Sequence, residues 1–144
     1  MSEPTPPPEN DPSILDSEML YRRIPGSDDV STTWDDNLGR LRASSAAFDD
    51  DVDGMSVYLS SVVEKVGLTA ADVVYGHPGY LVAMISAGSV RLEGMGVIAD
   101  PDPIDAPPHP CNPAHALVTT SHMSRSARRK AARNIAKAAV LLDL

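Results

Sequence analysis

Apolar positions along this chain fall into short blocks separated by polar, glycine or proline punctuation, with one longer amphipathic stretch at the C-terminal end. The most apolar block is Tyr80-Leu81-Val82-Ala83-Met84-Ile85, bounded by Gly79 and Ser86. It is short for a helix, and its lack of alternation predicts a strand covered on both faces. Met19-Leu20-Tyr21-Arg22-Arg23-Ile24 before Pro25-Gly26 predicts the first strand, with Leu20, Arg22 and Ile24 on one face and Tyr21 and Arg23 on the other. Arg22 among apolar neighbours is unusual, because a buried guanidinium needs a partner. An edge strand from which Arg22 reaches water is the simplest accommodation.

Thr32-Thr33-Trp34 and Leu38–Leu41 predict a hairpin across Asp35-Asp36-Asn37, with Trp34 as a core anchor. Met55–Leu59 reads as a strand running into a short helix, Ser60 to Val66, which Gly67 ends. Thr69-Ala70-Ala71-Asp72 has the form of a capping box with Asp in the Glu place. Residues 86–94 do not decide between helix and turn, and Gly94 and Gly96 stop anything helical. Val97-Ile98-Ala99 is expected to be extended. The prolines of 101–110 exclude regular structure. Ala114–Thr119 returns as a strand, with His115, Leu117 and Thr119 on one face.

The longer stretch begins at Ser124, which can cap a helix running from about Arg125 to Leu142. Arg125, Arg129, Arg133 and Lys137 follow one another at i,i+4, flanked by Arg128 and Lys130. Ala127, Ala131, Ile135, Ala138 and Leu142 form the opposite side, expected to pack on the sheet. Like charges at that spacing disfavour the helix by roughly 0.2–0.5 kcal/mol per pair, which an acidic neighbour would offset. The Asp28–Asp53 region of the same chain is the nearest such neighbour in kind. An acidic protein partner and a nucleic-acid backbone are the alternatives.

Together these elements predict an α+β domain: a three- to five-stranded, mostly antiparallel sheet with two to four helices, the amphipathic C-terminal one among them. Residues 1–17, proline-rich and acidic, read as a disordered arm. Residues 18–144 form the single domain, with the basic helix at 124–142.

Composition sharpens this picture in two places. Aromatic residues are only 4% of the chain, so the core must be built from aliphatic residues. The net charge of −8 hides a division. Residues 1–124 carry six basic and nineteen acidic groups, a net of −13; residues 125–144 carry six basic groups and Asp143, a net of +5. An acidic body disfavours nucleic acid as a partner except at a local basic patch. No apolar run approaches a membrane span, and the first thirty residues lack a secretory signal. The single cysteine excludes an internal disulfide. A cytoplasmic protein without a membrane partner is expected.

Candidate chemistry is sparse. His109, Cys111, His115 and His122 place four soft ligands within fourteen residues. Their spacing is not that of paired zinc ligands, and no bound metal or other cofactor is expected. Asp49–Gly54 invites a calcium reading but lacks the Glu that closes the twelve-residue loop. Ser44 or Ser45 with His115 and an aspartate could serve a hydrolase, although such residues are too common for their presence to count. There is no P-loop, GxGxxG, GxSxG or HExxH.

Two resemblances attach to these residues. Ser44-Ser45-Ala46-Ala47-Phe48, followed by Pro113-Ala114-His115-Ala116-Leu117-Val118, resembles a group of small uncharacterised bacterial proteins over roughly residues 19–135. The resemblance implies one compact domain with no activity to carry over, and residues 105–112 read as an insertion. Tyr21-Arg22 followed by Ser44-Ser45 is similar to the opening of ADP-ribosyltransferase-type domains, in which an arginine and a serine grip a dinucleotide. The catalytic acid of those enzymes has no counterpart, since Glu93 falls in a turn.

The leading expectation is a non-enzymatic interaction or regulatory module whose partner is another protein, met through Arg125, Arg129, Arg133 and Lys137. A small enzyme binding an anionic or nucleotide ligand is the second, and nucleic-acid contact by the basic helix the third. For the second, Arg22, Ser44, Ser45 and His115 are expected to line one cleft. Arg22→Ala would then cost ligand binding more than stability.

Overall fold

The computed structural model describes residues 9–26, 31–48, 54–101 and 109–144. Among the described residues eight strands form in chain order: β1 (Met19–Pro25), β2 (Thr32–Asp35), β3 (Arg40–Ala43), β4 (Met55–Leu59), β5 (Tyr80–Ser86), β6 (Gly96–Ala99), β7 (His115–Thr119) and β8 (Val140–Leu141). Three α-helices accompany them among the same residues: α1 (Ser60–Lys65), α2 (Ala87–Leu92) and α3 (Arg125–Ala138). Short 3-10 turns occupy Ser45–Phe48, Ala70–Val74 and Asn112–Ala114. The α+β class is as expected, but the sheet is larger. Six strands run in the order β6-β7-β4-β1-β5-β8, every pairing antiparallel, and β2 and β3 form a separate hairpin.

Both faces of the large sheet are covered, which is why Tyr80–Ile85 is apolar throughout. On the first face Leu20, Ile24, Met55, Val57, Leu59, Ala83, Ile85, Val97, Ala116 and Val118 pack against Phe48, α2 and the Ala131, Ala132, Ile135 and Ala136 side of α3. On the second face Tyr21, Tyr58 and Val82 meet Val63 of α1, Val73, Cys111 and Ala114.

The C-terminal helix departs from its expected bounds and orientation. It ends at Ala138, and Val140 and Leu141 leave it to pair with Met84 and Ala83. Helix propensity favoured continuation, but the free edge of β5 offers ladder hydrogen bonds that an exposed last turn would not, and Leu142 N–H also donates to the Val82 carbonyl at 2.9 Å. The buried side is Ala131, Ala132, Ile135 and Ala136, whereas Ala127 and Ala138 are exposed. The true apolar stripe is thus centred one residue away from the expected one.

Two further expectations are corrected. β1 is an interior strand, flanked by β4 and β5, so Arg22 has no edge from which to reach water. Trp34 is 60% exposed, because the hairpin buries only its base, at Thr32 and Ala43, and carries Trp34 and Leu41 out beyond the core.

Residues 1–8 of the expected arm lie outside the described residues. Residues 9–17, the rest of the expected arm, pack on the domain, with residues 9–11 along the β6 edge. Asp11 N–H donates to the Val97 carbonyl at 2.8 Å, and Asn10 Oδ1 accepts from Val97 N–H at 3.1 Å. Thr119 Oγ1 donates to the Glu9 carbonyl at 2.7 Å, Arg91 pairs with Asp16 at 2.8 Å, and Ile14 enters the core. The polar composition concealed this because the segment is held by backbone and amide hydrogen bonds rather than by apolar mass. No helix is long and apolar enough to cross a membrane, among the described residues.

Candidate functional site

The hairpin tip sets up the site. Asp35 Oδ1 accepts from the N–H groups of Asn37 and Leu38, and Gly39 adopts φ +66° to close the turn. This register places Thr33 opposite Arg42 and Trp34 opposite Leu41. Arg42 Nε pairs diagonally with Asp35 at 3.2 Å, which fixes its guanidinium beside the helix. The hairpin therefore leans toward the C-terminal half of α3 and leaves a trough between them.

The trough has three adjoining parts. The first, about 320 Å³, is lined by Thr33, Arg42, Ser44, Ser45, Arg133, Ala136 and Lys137. The second, about 160 Å³, shares Arg42, Ala136 and Lys137 and adds Leu38, Arg40 and Leu41. The third, about 380 Å³, continues past Leu41 to Leu81, Leu141 and Leu142. One end is thus cationic and hydroxyl-lined and the other apolar. Among the described residues Arg40, Arg133 and Lys137 form no ion pair, and the carboxylates in the trough walls are Asp35, committed to the turn and to Arg42, and Asp143.

The structure redistributes the residues singled out from the sequence. Ser44 and Ser45 meet Arg133 and Lys137 in the trough, a meeting that nothing in the sequence announced. Arg22 does not line it. Arg22 lies on the first face of the sheet, where Nε donates to the Ala47 carbonyl and a terminal nitrogen donates to the Ser56 carbonyl, both at 3.0 Å. His115 stands directly opposite Tyr58 on the second face. Arg22 and His115 are therefore on opposite sides of the sheet, and the expected four-residue cleft does not exist. The reason is strand parity: Leu20 and Ile24 share the core face with Arg22, while the β4–β7 register sends His115 the other way. Arg125 and Arg129 are exposed on α3, toward its start and beyond the trough.

The expected neutralisation of α3 by Asp28–Asp53 falls mostly on Asp28, Asp29, Asp49, Asp50, Asp51 and Asp53, outside the described residues. So do most of the calcium-like segment and residues 102–108. Among the described aspartates of that region Asp35 pairs with Arg42 of the hairpin, not with α3.

The soft ligands separate as well. His115 Nδ1 donates to the Asp100 carbonyl at 2.9 Å, His109 Nδ1 accepts from Cys111 N–H at 3.1 Å, and His122 bonds the Gly94 carbonyl at 2.7 Å. No group of three His, Cys, Asp or Glu is placed to hold a metal ion among the described residues. Cys111 is buried, and burial pushes its thiol up to about 11. It is a core thiol rather than a nucleophile.

Among the described residues the trough walls hold no histidine, cysteine or glutamate beside Ser44 and Ser45. The trough can bind and orient an anionic group beside an apolar one. Comparison with known proteins returns no matching family model, no matching curated protein and no matching solved structure.

Proposed function

We propose that this chain is a non-enzymatic interaction module that takes an acidic, partly apolar segment of another protein into the trough between the hairpin and α3. The observation that carries the reading is the pairing of Arg133 and Lys137, neither in an ion pair among the described residues, with the exposed side chains of Leu38 and Leu41, at 58% and 43%, and of Trp34 close by. Tryptophan and arginine are the residue types that dominate protein–protein recognition energetics. A cation-rimmed apolar strip fits a partner that alternates carboxylates with aliphatic side chains.

Trp34 is the only tryptophan and supplies the assay. Peptides selected from a random library against the full chain should be rich in Asp and Glu with one or two large apolar residues. Their binding should shift Trp34 emission to the blue and weaken as salt rises past the Debye regime, from about 0.05 to about 0.5 M. Arg133→Glu with Lys137→Glu, and separately Leu41→Asp, should each abolish it. Nucleic acid along Arg125, Arg129, Arg133 and Lys137 is the competing reading. It predicts a steep log–log salt slope, sensitivity to Arg125→Glu with Arg129→Glu, and indifference to Leu41→Asp. Selected peptides without acidic bias, or binding unaffected by either trough variant, would remove the proposal.

A further inference from the structure

The other concentration of chemistry lies on the second face of the sheet, and the preceding reading makes no use of it. Arg23 of β1 sits there, half-buried, with its Cζ 5.4 Å from the centre of the Tyr58 ring and one terminal nitrogen 3.3 and 3.4 Å from the two ring nitrogens of His77. His109 stands 6.4 Å from His77, 5.9 Å from Tyr58 and 6.0 Å from Tyr75, ring centre to ring centre. Tyr80 closes the far side, 5.1 Å from His77.

The hydrogen bonds fix the protonation of both imidazoles. The Tyr75 carbonyl, which can only accept, is met by His77 Nδ1 at 3.0 Å and by His109 Nε2 at 3.2 Å. Each of those nitrogens therefore carries a proton. The other nitrogen of each ring is then left to accept. His109 Nδ1 receives the Cys111 N–H at 3.1 Å, and His77 Nε2 faces the Arg23 donor at 3.4 Å. Both rings are neutral in this arrangement. A second proton on His77 adds a cation beside the permanent charge of Arg23, and a second proton on His109 takes away the acceptor of Cys111 N–H.

Nothing described nearby is free to neutralise the charges that acid would create. Arg23 forms no ion pair with a described carboxylate. Asp72 is held by the Thr69 N–H and hydroxyl at 2.8 and 3.2 Å, and Asp100 faces His115 at 3.3 Å. The other groups turned toward the cluster, Tyr58, Tyr75, Tyr80 and the Cys111 thiol, are uncharged between acid and neutral pH. Desolvation, with Arg23 next, holds His109 below the usual imidazole range, while Asp72 pulls weakly the other way.

We propose that Arg23, His77 and His109 form an acid-activated site for a tetrahedral oxyanion, a sulfate or a phosphate monoester. Arg23 supplies the standing charge, and each imidazole adds a cation when protonated. Tyr75, 66% exposed, and Tyr80 form the rim. Anion and proton bind with mutual reinforcement, so acid tightens the anion by as much as the anion favours the protonated site. The site lies across the sheet from the trough, and the two readings stand or fall separately.

The test is a titration of the full chain with sodium sulfate, dianionic throughout, at about pH 5.5 and about pH 7.5. Ionic strength is kept constant with chloride, and the imidazole carbon-bound protons are followed by NMR. The resonances of His77 and His109 should move saturably while those of His122, bonded elsewhere to Gly94, should not. Affinity should be roughly tenfold or more tighter at the lower pH. Arg23→Gln should abolish the response. His109→Gln, which keeps an acceptor and a donor, should retain weak binding and flatten its pH dependence even if the Arg23 variant folds poorly. The Arg133→Glu, Lys137→Glu pair should leave the response unchanged. Equal affinity at both pH values, the same shifts with chloride alone, loss of the response in the trough variant, or unfolding at the lower pH despite sulfate would each overturn the proposal.

Discussion

Arg22 offers the sharpest single test of how this fold is held. Its guanidinium is an internal tie, joining the carbonyl of Ala47, in the turn that packs on α3, to that of Ser56 in β4. Hydrogen bonds from a charged donor contribute about 1.5–3 kcal/mol each. Among the described residues Arg22→Ala removes two such bonds and strands two carbonyls. The site is half-buried, so water recovers part of the loss, and the lower end of the range applies. The expected cost is about 3 kcal/mol. With a urea slope near 1.5 kcal/mol/M, the denaturation midpoint should fall by about 2 M without a change in slope. Arg22→Lys can reach one carbonyl and should fall about midway. Peptide binding at the trough by the fraction still folded should be unaffected. A loss below about 1 kcal/mol for Arg22→Ala would refute the assignment of Arg22 as a tie.

Other outcomes follow from the same structure. Ile135→Ala, at a position 1% exposed where α3 meets the sheet, should cost about 2–5 kcal/mol in the same measurement. Trp34→Ala should change stability by less than about 0.5 kcal/mol, and native Trp34 emission should sit close to that of the denatured chain, since the ring is solvated. Gly96→Ala would drive a methyl into the Glu9 carbonyl and to 2.7 Å from Thr119 Oγ1, so residues 9–11 should detach and their amides lose hydrogen-exchange protection. Cys111, raised to about 11 by burial from an ordinary value of 9, binds its proton more tightly when folded. Its contribution should be intact below pH 9 and decline as pH rises toward 11, and Cys111→Ser should remove that alkaline slope in urea titrations.

Strand positions were legible wherever the apolar block was short and bounded, as at Met19–Ile24, Met55–Leu59 and Tyr80–Ile85. The Thr69–Asp72 capping box was legible too, because its partners are three residues apart. What was hidden depends on pairing across distance. β8 reads as helix until β5 offers it an edge, and the face of His115 follows from a register with β4 that no local pattern encodes. The trough joins residues 33–45 to residues 133–142, with nothing in the sequence to link them. The Arg23 cluster did leave a trace: Tyr75, His77 and Tyr80 crowd six positions of a chain that is only 4% aromatic. Helical and metal-ligand spacings do not register that kind of density.

The two outer edges of the large sheet are treated alike by opposite ends of the described chain. Residues 9–11 lie along β6, and Val140–Leu141 close β5. The β6 edge is thereby covered, and the opposite edge is reduced to the two residues of β8, which offer little to another molecule's strand. The same arrangement dictates when the fold can be completed during synthesis. The part of the first-face layer that α3 supplies and the seal on β5 wait for residues 125–141. Until those emerge, the first face lacks the cover of Ala131, Ala132, Ile135 and Ala136. The nascent chain is therefore open to unwanted apolar contacts until α3 is made.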